Sequence, residues 1–273
     1  MKFKNNESLM MKYMESVFVG CLTLFIPISG FACSLAQWDG GSSGAVVAES
    51  PAAPAPANSN PSRFSEKCGM RVTGTGHVQD NKPSAHTTFI ARFYVRPALT
   101  GGGNADLFIA YANETPTTQL VKVSYDGANL DFHAGSSTVL GTAPAEAGKW
   151  HLVEIEYVSA SNTRFWVNAN SVGAPTGTYT SATGAVEAVR LGLPNGLAGH
   201  TGYANFDSYE SHSSTPVGPL LAGDSNGSGT ISIADATNAI SELNGNLANG
   251  QPDCNSSGVV TIADATCIIG KIP

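Results

Sequence analysis

Seven short stretches of alternating apolar and polar residues, separated by turn residues, dominate the middle of this chain. Side chains at alternate positions of a strand point to opposite faces, so such stretches predict half-buried β-strands. Turns rich in Gly and Asn separate them, and no amphipathic helical pattern occurs. The pattern therefore predicts an antiparallel two-sheet sandwich over residues 68–213. The stretches are Thr88–Val95, Asp106–Asn113, Leu120–Gly127, Trp150–Val158, Thr163–Asn170, Ala188–Leu193 and Tyr203–Ser211.

The C-terminal residues contain an internal repeat. When Asp224–Ile240 is aligned with Asp253–Ile269, ten of the seventeen positions are identical. Each copy begins with D-x-N-x-S-G and reaches a second aspartate at its twelfth position. A loop that curls around a hard cation such as Ca²⁺ presents alternate oxygen-bearing residues to it and turns sharply at a glycine. The repeat therefore predicts two calcium loops of EF-hand type.

The spacing assigns a ligand set to each loop. The side chains of positions 1, 3, 5 and 12 and the carbonyl of position 7 are the predicted ligands, and Ser232 and Thr261 would act through water. Each loop has only two carboxylates, so we expect weak affinity, with a Kd on the order of 10⁻⁴ to 10⁻³ M. The alternative is a pair of Asx turns that need no metal. The predicted ligands are Asp224, Asn226, Ser228, Thr230 and Asp235, and then Asp253, Asn255, Ser257, Val259 and Asp264.

Residues 223–273, with a helix-like stretch after each loop, resemble a type I dockerin module. The stretches are SIADATNAISEL and TIADATCIIGKI. The resemblance implies a small α-helical module that folds on binding calcium and a cohesin-like partner. The chain departs from the family at the positions where partners are usually recognised, since Ile233-Ala234 and Ile262-Ala263 replace hydroxyl-bearing pairs, and Ile240-Ser241 and Ile269-Gly270 lack basic residues.

A looser resemblance concerns the sandwich. Lys149–Asn168 combines a tryptophan, an alternating strand, a turn and an aromatic strand, and Tyr203–His212 is similar to a closing core strand. Both resemble laminin G-like and concanavalin A-like domains. The resemblance implies a jelly roll, and such domains bind glycans or proteins, while some relatives cleave glycans.

The N-terminus has the order of a secretory signal peptide over residues 1–36. Lysines precede the apolar run Val17–Ala32, and cleavage is expected after Ala36. A retained anchor is disfavoured because the run is short and contains Pro27. Lipidation of Cys33 is the other alternative. Residues 37–67, rich in Gly, Ser, Ala and Pro, are either a disordered tether or a lead-in with a first strand near Trp38.

Residues 214–222 are predicted to link the two modules, and three cysteines would remain after cleavage. Export permits disulfides, and Cys254 and Cys267 are the closest pair in sequence. Cys68 would then be a buried small side chain or a spare thiol.

Candidates for catalysis are few. Glu154 and Glu156 share a strand face, as paired glycosidase carboxylates can, but the third acid of laminarinase-type enzymes is missing, so the solvated side of a strand is favoured. Asp131 and His133 could place an acid beside an imidazole on one strand face, but they are interpreted as polar surface residues.

Further side chains were weighed as sites for a ligand. Arg92, Tyr94 and Arg96 share a face that is interpreted as a charged outer surface. Trp150 and Trp166 are interpreted as core or sheet-edge aromatics rather than platforms for a sugar.

The sequence thus predicts an exported, non-catalytic binding protein for a glycan or cell-surface protein, with a calcium-stabilised tail. A polysaccharide-degrading hydrolase or lyase and a structural adhesion protein remain alternatives. The net charge of −7 and the lack of a basic stripe argue against nucleic acid as a partner.

Overall fold

The structure, a computed structural model, describes residue 35 and residues 38–41, 46–49, 63–136 and 139–273. It contains fourteen strands and two helices in these ranges. The strands are β1 Gly40–Gly41, β2 Val46–Glu49, β3 Gly69–Val72, β4 Gly76–Asp80, β5 Thr88–Thr100, β6 Ala105–Tyr111, β7 Gln119–Tyr125, β8 Asn129–Ala134, β9 Gly141–Pro144, β10 His151–Val158, β11 Asn162–Val167, β12 Gly177–Thr180, β13 Ala188–Leu193 and β14 Thr201–His212. The helices are α1 Ile233–Leu243 and α2 Ile262–Lys271.

The strands form two antiparallel sheets. Sheet A has the order β1-β4-β13-β6-β7-β8-β9, and sheet B has the order β12-β11-β10-β5-β14-β3-β2. All seven predicted stretches lie on strands, so the prediction of a mainly β, antiparallel sandwich is confirmed. The strands β3, β4, β8, β9 and β12, of four to six residues each, lay outside the predicted stretches.

Aromatic side chains fill the space between the sheets. Phe93 of sheet B stacks on Phe108 of sheet A at 5.2 Å between ring centroids, and Phe132 of sheet A stacks on Phe165 of sheet B at 3.8 Å. Stacked aromatic pairs contribute stability beyond their buried area. Residues between the core positions of sheet B face away from sheet A, and we call this side the outer face of sheet B.

The N-terminal part of the described chain also joins the sheets. β1 and β2 lie inside the stretch 37–67 and pair with β4 and β3, respectively. Leu35 and Trp38 pack partly against the core, and Trp38 contacts the Tyr209 ring at 5.1 Å. The predicted signal peptide, apart from Leu35, lies outside the described residues. Neither of the described helices has the length and apolar composition needed to cross a membrane.

Two disulfides involve the described cysteines. Cys254 bonds to Cys267, joining the start of the second predicted calcium loop to α2. Cys68 is also disulfide-bonded, so the prediction of a spare thiol or an unbonded buried side chain is wrong. The remaining cysteines of the sequence, Cys21 and Cys33, lie outside the described residues.

Candidate functional site

In the first predicted calcium loop, backbone and side chains fold inward around one small volume. The Asp224 carboxylate accepts the N–H groups of Ser228 at 2.9 Å and Gly229 at 2.6 Å. The Asn226 side-chain oxygen accepts the same Ser228 N–H at 2.9 Å, and the Ser228 hydroxyl donates to the Thr230 carbonyl at 3.1 Å. The first, third, fifth and seventh positions are therefore brought together.

Asp235 ties the end of this loop to its beginning. Its carboxylate is fully buried and accepts the N–H of Asn226 at 3.0 Å through one oxygen. The other oxygen accepts the N–H and the hydroxyl of Ser232, both at 2.9 Å. This arrangement is a capping box at the start of α1, which satisfies N–H groups that the helix cannot pair internally.

The second loop has the same bonds at the equivalent positions. Asp253 accepts the N–H groups of Ser257 at 3.0 Å and Gly258 at 2.7 Å. Asp264, also fully buried, accepts from Asn255 at 3.2 Å and from Thr261 at 2.8 Å. Burial, with the nearby Asp264 carboxylate acting in the same direction, raises the pKa of Asp253.

The second loop also reproduces the remaining contacts of the first. Asn255 accepts the Ser257 N–H at 3.0 Å, and the Ser257 hydroxyl donates to the Val259 carbonyl at 2.9 Å. The sharp turns occur at Gly229 and Gly258, with φ of +81° and +82°, a region that residues with a Cβ rarely adopt. Both loops thus share one backbone shape.

The chemistry of the donor atoms fits a hard cation. Each loop gathers two carboxylates, one amide oxygen, one hydroxyl and one main-chain carbonyl, and Ca²⁺ binds oxygen ligands of these kinds. Zinc and copper prefer nitrogen and sulfur ligands. Within the described ranges there is no group of three or more His, Cys, Asp or Glu side chains suited to a metal.

The two loops differ at their second positions. Ser225 is fully buried, and its hydroxyl donates to the Asp235 carbonyl at 2.6 Å. Cys254 holds the equivalent position in the second loop and is bonded to Cys267 instead. The second position is therefore tied to the following helix in both loops, by a hydrogen bond to position 12 in the first and by a disulfide to position 15 in the second.

Glu154, the leading catalytic candidate, is a structural residue. It has no exposed surface, and its two carboxylate oxygens accept the N–H groups of Val217 at 2.9 Å and Gly218 at 2.8 Å. The prediction of a solvated glutamate is therefore wrong for this residue. Glu156 is half-buried and forms an ion pair with Arg164. Glu154 thus holds residues of the predicted linker 214–222 against the outer face of sheet B.

Arg92 and Tyr94 also bind this segment. The Arg92 guanidinium is 4% exposed, forms an ion pair with Glu210 at 2.8 Å and donates to the Gly218 carbonyl at 3.4 Å. The Tyr94 hydroxyl accepts the N–H of Leu220 at 2.9 Å, and burial raises its pKa. Interpreting these two residues as a charged outer surface is therefore wrong, because the segment covers them.

The Asp131 and His133 pair lies on sheet A and is buried, so its interpretation as surface polarity is also wrong. Asp131 accepts the Thr142 hydroxyl at 3.0 Å, and burial raises its pKa. His133 shares a hydrogen bond of 2.9 Å with the Ser124 hydroxyl. The fully buried Ser124 hydroxyl is not open to a substrate.

A cleft of about 800 Å³ lies between the outer face of sheet B and the second loop. Trp150, half-buried, and Arg96 line it from the sandwich, together with the exposed Lys149. Phe64 stacks on Tyr94 at 3.8 Å and meets Trp150 edge-on at 5.9 Å between centroids. Trp166, by contrast, is buried and donates to the Gly173 carbonyl at 3.1 Å.

The wall opposite Trp150 belongs to the tail. It is formed by Glu242, Gln251, Pro252, Asp253 and the stretch 256–260. Sequence reasoning did not find this cleft, since no local pattern shows that Phe64, Trp150 and Gly258 meet. The sequence patterns marked a strand beside Trp150 and a loop around Gly258, but they did not show that the two lie close together.

The tail is bound to the sandwich on a second side. Arg63 forms an ion pair with the Glu242 carboxylate of α1, and both side chains are buried. The second Glu242 oxygen accepts the N–H of Ala248 at 2.9 Å. Glu66 donates its N–H to the Gly250 carbonyl at 3.0 Å. The sandwich and the tail belong to one compact unit.

Comparisons with known proteins give only remote similarities. No protein-family model and no curated protein matches this chain. Among solved structures, it is similar to the cellulose-induced protein Cip1, with 16% identity, a TM-score of 0.44, and coverage of 66% of this chain and 88% of that chain. An endo-β-1,4-glucuronan lyase from the fungus Trichoderma reesei has 16% identity, a TM-score of 0.47, and coverage of 67% and 93%.

Proposed function

We propose that this chain is an exported, non-catalytic binding protein that holds a glycan in the cleft between sheet B and the tail. The observation that carries the proposal is the composition of that cleft. Its volume of about 800 Å³ falls within the range of small-molecule sites. Aromatic side chains and a few polar groups line it, as in sites that orient a ligand by hydrogen bonds.

Trp150 is the aromatic group best placed for a sugar ring. Aromatic rings bury a large apolar area, and the C–H faces of sugars provide a complementary surface. Arg96 is oriented by its bond to the Gly148 carbonyl at 2.8 Å, and Lys149 forms an exposed ion pair with Glu146 at 2.7 Å. Both can donate to sugar hydroxyl or carboxylate groups.

The burial and the hydrogen bonds of Glu154 support a non-catalytic role for the protein. A general acid or nucleophile must reach its substrate, whereas both Glu154 oxygens already accept backbone N–H groups and the residue is fully buried.

For the tail we propose two calcium ions, one in each loop. Asp224, Asn226, Ser228, Thr230 and Asp235 would hold the first, and Asp253, Asn255, Ser257, Val259 and Asp264 the second. Bound calcium would neutralise two facing carboxylates in each loop. Binding only to the folded state stabilises that state, so folding of the tail and calcium binding are linked.

The tail also presents a surface for a partner. Ile233 and Ile262 occupy equivalent positions at the helix starts and are 65% and 64% exposed. A cohesin-like protein that covers these side chains is the partner we propose for the tail. The proposed location is extracellular, with a lipid anchor at Cys33 as the alternative.

A glycan array followed by titration of the best-bound oligosaccharide tests the binding proposal. We expect Trp150→Ala to weaken binding about tenfold or more, which corresponds to about 1.4 kcal/mol of lost stacking. Val172→Ala, at an exposed position outside the cleft, serves as the control and should bind like the wild type. No binding to any glycan, or equal affinity of wild type and Trp150→Ala, would contradict the proposal.

Incubation with a panel of polysaccharides tests the non-catalytic part. We expect no release of reducing or unsaturated ends by the purified chain. Release that disappears in Glu156→Gln would identify an enzyme instead.

A further inference from the structure

The second calcium loop is also a wall of the cleft, whereas the first is not. Four of the lining residues, Asp253, Ser257, Gly258 and Val259, belong to the second loop's ligand set or its sharp turn. None of the five predicted ligands of the first loop lines the cleft. The two loops have equivalent sequences, but only the second one lines the cleft.

The bonds that shape the second loop also shape the wall. Asp253 holds the N–H groups of Ser257 and Gly258, and Ser257 donates to the Val259 carbonyl. These side chains and this carbonyl are the ones that would face a cation. A change in their arrangement therefore changes the surface that a ligand in the cleft meets.

Charge connects the loop and the cleft as well. Asp253 lines the cleft, and its carboxylate belongs, with that of the fully buried Asp264, to the proposed ligand set of the second loop. A divalent cation would neutralise this pair, so the positive charges of Arg96 and Lys149, which also line the cleft, would be less opposed. An anionic or strongly polar ligand would meet a more favourable potential.

The first loop reaches the cleft only through an intermediate segment. The Asp224 carbonyl accepts the N–H of Gln251 at 2.8 Å, and the Ser225 carbonyl accepts those of Asn249 and Gly250 at 3.1 and 3.0 Å. These are main-chain contacts, and they involve none of the side-chain oxygens proposed to hold a cation. The first loop therefore supports the segment without forming the wall itself.

We propose that calcium in the second loop, and not in the first, controls ligand binding in the cleft. The inference rests on the proposed function, since it concerns the same cleft and the same loops. Because coupling between two sites is reciprocal, a ligand in the cleft raises the calcium affinity of the second loop by the same factor.

The first test uses calcium alone and the full chain labelled with 5-fluorotryptophan. Its three tryptophans give three fluorine resonances, and Trp150→Phe assigns the one in the cleft. We expect the Trp150 resonance to shift with calcium in the wild type and in Asp224→Asn, but not in Asp253→Asn. The buried Trp166 serves as the internal control. A Trp150 resonance that stays fixed while calcium binds the second loop would overturn the proposal.

The second test measures the affinities for cellohexaose and hexagalacturonate in 10 mM calcium and in chelator. We expect chelation and Asp253→Asn each to weaken binding about tenfold, and Asp224→Asn to change it less than threefold. Circular dichroism establishes that the sandwich stays folded in each case. Equal binding with calcium and with chelator would overturn the coupling and leave the glycan site standing. Binding of neither saccharide, with a silent glycan array, would overturn the proposed function, while the fluorine shifts still decide the effect of calcium on the cleft.

Discussion

The two repeats of the tail share one loop but have different neighbours. Apart from the bond of the Ser225 hydroxyl at position 2, every loop bond described for the first copy has a counterpart in the second, from the aspartate at position 1 to the capping box at position 12. Beyond the loop, Glu242 of the first copy is buried against Arg63, whereas the equivalent Lys271 is exposed and donates to the Ala222 carbonyl at 3.1 Å. The first copy thus attaches the tail through Glu242, which also reaches the cleft, whereas only the second copy places its loop along the cleft. Duplication of a sequence pattern therefore predicts a shared local structure but not a shared role.

The largest expected difference between the copies concerns attachment to the sandwich. Glu242→Gln leaves the buried Arg63 guanidinium without its carboxylate partner, so we expect the free energy of unfolding to fall by about 3–5 kcal/mol. Lys271→Gln at the equivalent exposed position should change it by no more than about 0.5 kcal/mol. Urea denaturation of the two variants makes the comparison. Equal losses would show that α1 does not attach the tail.

Removal of the disulfide should weaken the second copy alone. We expect the double variant Cys254→Ser/Cys267→Ser to lose about 2–4 kcal/mol, because an unbridged denatured chain gains conformational freedom. Thermal unfolding of the double variant beside the wild type, without a reductant, measures the loss, because a reductant would also open the disulfide of Cys68. An unchanged melting temperature would mean that the hydrogen bonds of the second loop hold the copy without the bridge.

Calcium should stabilise the two copies equally. Their ligand sets match, so in 10 mM calcium each site at 10 to 100 times its Kd contributes about 1–3 kcal/mol. Asp224→Asn and Asp253→Asn should therefore each remove half of the stabilisation that calcium adds. Melting temperatures of the wild type and the two variants, measured at a series of calcium concentrations, give the stabilisation that each loop contributes. Clearly unequal losses in the two variants would show that the disulfide or the cleft also changes the calcium affinity of one loop.

The smallest expected effect is at the second loop position. Ser225→Ala removes the hydroxyl that donates to the Asp235 carbonyl, and we expect a loss of about 1 kcal/mol. Denaturation of this variant beside the disulfide variant compares the stability that the hydrogen bond and the disulfide contribute at the second loop position. A loss as large as that of the disulfide variant would contradict the assignment of a single hydrogen bond to Ser225.

Local sequence patterns predicted much of this fold. Alternation was sufficient for the long strands because a half-buried sheet needs apolar side chains at every second position. The spacing of Asp224, Asn226 and Ser228 predicted a curled loop, and the hydrogen bonds of the structure have that form.

The contacts between distant segments could not be predicted in this way. Glu154 has the sequence environment of an exposed strand position, and only the folded chain places the N–H groups of Val217 and Gly218 on it. The cleft is a similar case, since Phe64, Trp150 and the second loop come from three separate parts of the chain. Function at such a place depends on packing, which no single stretch encodes.

The amide resonances of Gly229 and Gly258 test the proposed calcium sites most directly. Each N–H donates to the position-1 aspartate of its loop, at 2.6 and 2.7 Å. In a nitrogen–proton correlation spectrum of the full chain, we expect both resonances to shift and saturate with a Kd on the order of 10⁻⁴ to 10⁻³ M. Asp224→Asn should abolish the shift of Gly229 alone, and Asp253→Asn that of Gly258 alone. Resonances that stay fixed up to about 20 mM calcium, well above this range of Kd, would contradict calcium binding by the tail.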